Sequence, residues 1–227
     1  MSKKKFGLIF SGFVALLICM ILLPSFLFKF SDYALINRVK IEELDLSQSQ
    51  NSDIKTLSTD ERLELMSNKN AFVENDGAFD ETQKKQLFND ACEELSKLQD
   101  LGACPKFDMS NFKMVKFSAT AYIDLFNAEN YVKTIYIAAQ NNNDNFNVIM
   151  DLETGKIYHY AINGYNKLSE EEIMGIMECF ADYLGMDFDI SANKNPYDIT
   201  DEYTMLSSSG IGYHIIYVPD FISFELM

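Results

Sequence analysis

The chain contains no tryptophan and only two histidines, His159 and His214. Without tryptophan it lacks the usual platform for stacking a sugar ring. With two isolated histidines it has no HExxH spacing on which a catalytic zinc site is built. Cysteine is nearly as sparse. Of four, Cys19 falls in an apolar run near the N-terminus, leaving Cys92, Cys104 and Cys179. Three thiols cannot all pair. Cys92 and Cys104 bracket a helix end and a turn at a separation that admits a bridge, whereas Cys92 and Cys179 fall on apolar helix faces, where a free thiol packs as a small hydrophobe. No CxxC spacing occurs, which excludes a zinc ribbon or a thioredoxin-like pair.

Positive charge is scarce too. The formal net charge is -15, and Lys3, Lys4, Lys5 and Lys29 all flank the apolar run. Beyond residue 30 the chain carries 15 basic and 34 acidic residues, a net of -19. Nucleic-acid affinity comes largely from lysine and arginine on phosphates, so a nucleic-acid partner is excluded. A charge of this size keeps a domain soluble and suits a cationic partner.

The longest uncharged stretch is Phe6–Phe28. As a helix it would reach roughly 35 Å, against a hydrocarbon core of about 30 Å. The lysines precede it and Asp32 follows, which favours a cytoplasmic N-terminus and a translocated remainder. Leu23–Phe28 offers no small-x-small cleavage site, and bulky Ile18 and Met20 flank Cys19, unlike a lipoprotein signal. The expectation is a single-pass membrane protein: cytoplasmic tip and transmembrane anchor over 1–30, a juxtamembrane tether over 31–57, and an extracytoplasmic domain over 58–227.

Within that domain, Ser58 and Glu61 form a capping box before a short helix at 59–67, followed by loop to residue 79. Leu87, Phe88, Ala91, Cys92, Leu95, Leu98 and Leu101 repeat at three and four through 80–101, with Asp80 as N-cap and Gly102 at the left-handed end. The period then becomes two. Val115, Phe117, Ala119, Ala121, Ile123 and Leu125 set the inner face of a strand over 113–126, and strands follow at 131–139, 146–152 and 156–162. Ser169 and Glu172 cap a second long helix that ends at Gly185. After a polar loop, strands fall near 202–208, 212–218 and 221–226. The class is α+β: a transmembrane helix, then helices packed on one face of an antiparallel sheet in the order α-ββββ-α-ββ(β).

The segment Asn145–Ile162, NFNVIMDLETGKIYHYAI, with Asp151, Thr154, Gly155 and Ile157 around its turn, resembles the last hairpin of PepSY-type domains. The likeness covers about residues 131–162. It implies an extracytoplasmic domain of inhibitory or regulatory character and carries no functional residue with it.

Candidate chemistry is thin. His159 and His214 meet only if their strands are neighbours. Ser207–Gly210 lacks the GxSxG elbow and reads as a turn. Asn141–Asn147 and Asp187–Asp189 lack EF-hand spacing. Tyr158, Tyr160, Tyr165, Tyr213 and Tyr217 line a groove or pack across strands. No residue is assigned a catalytic, cofactor-binding or metal-binding role. The chain reads as a non-enzymatic binding, sensory or inhibitory domain at a bacterial-type cell envelope, with the membrane and another envelope protein or peptide as partners. The alternative is an envelope hydrolase acting on cell-wall sugar or peptide through an unrecognised carboxylate site.

Overall fold

The structure is a computed structural model that describes residues 57–67, 72–74, 79–127, 130–165, 167–194 and 200–227. Among the described residues three helices, α1 (Thr59–Ser67), α2 (Glu81–Leu101) and α3 (Glu170–Leu184), accompany nine strands. The strands are β1 (Phe72–Glu74), β2 (Lys113–Ile123), β3 (Tyr131–Gln140), β4 (Asn145–Asp151), β5 (Ile157–Asn163), β6 (Phe188–Lys194), β7 (Asp201–Ser207), β8 (Gly212–Val218) and β9 (Phe221–Leu226). They form one sheet in the order β1-β2-β3-β4-β5-β9-β8-β7-β6, antiparallel throughout.

The expected α+β order is corrected by this arrangement. The molecule is dominated by a single nine-stranded sheet, so a description by alternating helix and sheet blocks fits only loosely. Two strands were missing from the order: β1 is too short to show a period, and β6 sits in what reads as polar loop. The expected transmembrane, single-pass character is corrected as well: no helix among the described residues is long and apolar enough to cross a membrane. The Phe6–Phe28 run lies outside the described residues, as does the 31–57 tether apart from Leu57.

The helix ends follow their sequence signals. Asp80 and Gln83 exchange side-chain and backbone bonds in a capping box, and Gly102 (φ 75°) closes α2. Ser169 and Glu172 do the same for α3, which Gly185 (φ 73°) ends. Each Gly supplies a left-handed residue without a Cβ penalty.

The core lies where α3 meets the middle of the sheet. Phe180 is fully buried, with its ring 5.5 Å from Tyr160, 5.5 Å from Tyr213 and 4.9 Å from Phe224. Those three residues belong to β5, β8 and β9, so one side chain ties the C-terminal strands to the N-terminal meander. Of the two readings of Tyr158, Tyr160, Tyr165, Tyr213 and Tyr217, a groove lining or packing across strands, burial favours packing. Tyr160 donates to the Ala103 carbonyl at 2.8 Å, Tyr213 to the Tyr158 carbonyl at 2.9 Å and Tyr217 to the Leu168 carbonyl at 3.1 Å.

The β4–β5 turn is a polar hub. Asp151 Oδ1 accepts from the amides of Glu153 (2.7 Å) and Thr154 (3.3 Å), and Oδ2 accepts from Arg62 Nη1 (2.9 Å) and the Tyr158 hydroxyl (3.2 Å). Both Asp151 and Arg62 are buried. Gly155 sits at φ 69°, and its amide donates to the Asp151 carbonyl at 2.9 Å. No atom lies within 4 Å of the place a Cβ would occupy, so a substitution there meets backbone strain rather than a clash. Gly155→Val should therefore lower stability by about 1–3 kcal/mol, measured by denaturant unfolding. An unchanged midpoint would show that the turn relaxes without loss.

Candidate functional site: an acid-rimmed apolar groove

Helical spacing divides α1 into two faces. Arg62, Leu63 and Met66 are buried, while Glu61, Glu64 and Leu65, at positions i, i+3 and i+4, turn away from that contact; Leu57, just before the helix, is itself buried and reaches the edge of the same face. The second face forms one wall of a groove of about 360 Å³. The other wall is the end of β2 and the segment after it: Ile123, Asp124, Leu125, Phe126 and Asn130.

This wall departs from the expected strand. Pairing between β2 and β3 slips between Met114 and Lys116, so Val115 is an extra residue and is 55% exposed. Such a bulge changes which residues face inward. The strand also stops at Ile123 rather than continuing to residue 126, because Asp124 begins a turn. Its amide donates to the Asn130 carbonyl at 3.0 Å, and its Oδ1 accepts from the Phe126 amide at 2.8 Å. An Asx turn of this kind supplies backbone bonds that a strand would otherwise make. Leu125, expected to face inward, is 61% exposed, and Phe126 is 99% exposed.

Glu61 is fixed by the α1 capping box, its Oε2 accepting from the Ser58 amide at 2.8 Å. Glu64 projects from the exposed face one turn on. Three carboxylates, at 61, 64 and 124, thus border apolar surface from Leu57, Leu65, Ile123, Leu125 and Phe126, and among the described residues no basic one lines the groove.

The other sequence candidates do not assemble into chemistry. His159 and His214 are separated by β9, where Glu225 stands opposite His214. His159 Nε2 is 3.1 Å from Asn147 Oδ1, and His214 Nε2 is 3.6 Å from Glu202 Oε2. Burial pushes the His159 imidazole below its ordinary value, with Glu225 opposing. Among the described residues, no group of three His, Cys, Asp or Glu is placed to hold a metal. Ser207–Gly210 is the β7–β8 turn: the Ser207 hydroxyl oxygen accepts from the Ile211 amide at 3.1 Å. Asn141 Oδ1 accepts from the amides of Asn143 and Asp144, at 2.9 and 2.8 Å, and so serves its own turn. Asp189 lies on β6 opposite Leu206.

The carboxylates whose acidity is visibly shifted, Asp108 and Glu172, are both held below their ordinary value, by hydrogen bonds from the backbone and hydroxyl of Ser110 and Ser169 respectively. A general acid for glycoside or peptide hydrolysis needs the opposite shift. Cys92, Cys104 and Cys179 are all free thiols; burial pushes Cys92 up to about 11 and Cys104 well above its usual value, away from the thiolate form.

No family model, no curated protein and no solved structure matches the chain. The expected resemblance of about residues 131–162 to PepSY-type domains therefore has no support from these comparisons. In the fold, Asp151 anchors α1 and the turn.

Two features escaped sequence reasoning. The Arg62–Asp151 pair joins residues far apart in the chain; its one local signal is that Arg62 precedes Leu63 and is four residues before Met66, on the apolar side of α1. The groove depends on where β2 stops, and only Asp124, a turn former, hints at that.

Proposed function

We propose that the domain is a non-enzymatic binding module whose groove between α1 and the β2–β3 connection takes an extended peptide segment carrying both basic and apolar side chains. The observation that carries this reading is Phe126, almost wholly exposed beside Leu125 and bordered by Glu61, Glu64 and Asp124. Isolated apolar residues on a surface are ordinary; a contiguous apolar floor with a polar rim is the anatomy of an interaction site. The occupant is chosen by charge: three carboxylates and, among the described residues, no base at the groove, in a chain whose residues 31–227 carry a net of -19, favour a cationic partner and repel an acidic one. Placement at a cell envelope, outside the cytoplasm, and an inhibitory or sensory role belong to the same proposal. They rest on the charge asymmetry of residues 3–32 and on the partner chemistry.

The probe is a synthetic peptide alternating lysine with leucine and phenylalanine, and the readout is fluorescence anisotropy on the full chain. Leu125→Ser/Phe126→Ser should weaken binding by about thirtyfold or more, as for a central aromatic anchor, and leave Tm unchanged. Glu64→Lys should weaken it less and reduce its salt dependence. A control peptide with serine in place of the apolar residues should bind weakly. Equal binding of the two peptides, or an unaffected Leu125→Ser/Phe126→Ser variant, would overturn the proposal. So would a homodimer that the same variant dissolves, because the occupant would then be a second copy.

A further inference from the structure

We propose that a second, separate cleft, between the C-terminal end of α2 and the outer face of α3, binds a small monoanionic molecule with an apolar body. The cleft has a volume of about 510 Å³, within the range of small-molecule sites, and shares no lining residue with the groove. Its α3 wall is the stripe Glu172, Gly175, Ile176 and Cys179, at i, i+3, i+4 and i+7. Its opposite wall is Gln99, Gly102 and the loop through Lys106.

Three observations point to an occupant. The first is Gly175. A glycine inside a helix costs about 1 kcal/mol relative to alanine, so packing normally explains its presence. Here no atom lies within 4 Å of where its Cβ would stand. Nothing in the fold demands a glycine; its missing side chain leaves the cleft open. The second is Tyr165, which lines the cleft and is 6% exposed, yet its hydroxyl is shut from water without a hydrogen-bond partner among the described residues. The hydroxyl is thus shielded from the cleft, and Tyr165 contributes apolar wall there rather than a donor. The third is charge. Lys106 and Lys167 both line this one cleft in a strongly acidic chain, and both are exposed. Glu172, the carboxylate in the lining, is already engaged: its Oε2 accepts from the Ser169 amide at 2.7 Å and hydroxyl at 2.8 Å.

The walls are held before any ligand arrives. Gln99 Nε2 donates to the carbonyls of Pro105 (3.2 Å) and Phe107 (3.1 Å), fixing the loop that carries Lys106. The Tyr217 hydroxyl accepts from the Leu168 amide at 3.0 Å and donates to the Leu168 carbonyl at 3.1 Å, fixing the segment after Lys167. Pro105, Leu168 and Ile176 give apolar walls for a hydrocarbon body, while the lysines suit a carboxylate head.

The test uses decanoate below its micellar concentration, with calorimetry on the full chain. Decanol and inorganic phosphate serve as the body and the head alone. Wild type should bind one decanoate per chain saturably, and each control compound at least about tenfold more weakly. Gly175→Phe fills the cleft while improving helix propensity, so Tm should hold or rise while decanoate binding falls by about tenfold or more. The comparison with wild type separates the cleft from apolar binding elsewhere on the chain. Tyr165→Phe removes only a shielded, unpartnered hydroxyl, so it should raise Tm and leave decanoate binding unchanged. Lys106→Gln/Lys167→Gln should weaken binding without changing Tm. Absence of saturable binding, or wild-type affinity in a folded Gly175→Phe protein, would overturn the inference. If Gly175→Phe fails to fold, unchanged affinity in Lys106→Gln/Lys167→Gln overturns it. Loss of peptide binding at the groove would leave every one of these outcomes intact.

Discussion

Arg62→Met should lower the free energy of unfolding by about 3–5 kcal/mol, the usual result of removing one partner from a buried ion pair. The reason lies in what remains. Asp151 is fully buried, and Arg62 reaches it at 2.9 Å while its other nitrogen meets Glu153 at 2.7 Å. Without the guanidinium, Asp151 keeps two turn amides and the Tyr158 hydroxyl but loses its cation. Asp151→Asn in the Arg62→Met background should restore part of the loss, because the buried charge goes with it; a double-mutant cycle in urea measures the coupling. Arg62 Nε also donates to the Leu57 carbonyl at 2.9 Å, so the variant loosens the start of α1 as well. A nine-residue helix does not persist without tertiary contacts. Arg62→Met should therefore weaken peptide binding too, through loss of the groove wall. If stability falls by less than about 1 kcal/mol, the pair is not the fastening of α1 described above.

Phe180→Ala should cost a comparable amount, about 3–5 kcal/mol, for a different reason. No charge is stranded; a cavity opens among Tyr160, Tyr213 and Phe224. For a domain of this size the loss corresponds to a fall in Tm of roughly 10 °C, read by circular dichroism. Phe180→Leu keeps most of the volume and should cost less than about 1.5 kcal/mol. Equal losses for the two variants would mean that ring geometry, rather than volume, holds α3 to β5, β8 and β9.

The long helices were legible because their signals are local. Asp80, Gly102, Ser169 with Glu172, and Gly185 each act within four residues of the end that they set. The four-strand meander was legible for the same reason: its turns carry Asn141, Asp144 and Gly155, and its pairings are between consecutive strands. The position of β9 was not, because Phe224 pairs with Tyr160 across most of the C-terminal half of the chain, and a period of two says which face a residue takes but not which strand it meets. The same limit hid β6, whose Phe188, Ile190 and Ala192 alternate within an otherwise polar stretch. The strand expected over 113–126 departs from its sequence pattern for a subtler reason. Val115 and Leu125 obey the strand period in the sequence, but the bulge at one end and the Asp124 turn at the other take both out of register. Phe126, at the end of the expected strand, lies instead in the turn that Asp124 opens and is exposed there.

The central claim is that this groove is a binding surface for basic and apolar peptide, and photocrosslinking locates the contact most directly. Benzoylphenylalanine at position 126 in the full chain should crosslink to the lysine–leucine–phenylalanine peptide on irradiation, and unlabelled peptide should compete the product away. The same group at Leu206, which is 47% exposed on β7, should crosslink little. Equal yields at the two positions, or a product at 126 that competitor does not remove, would contradict the account.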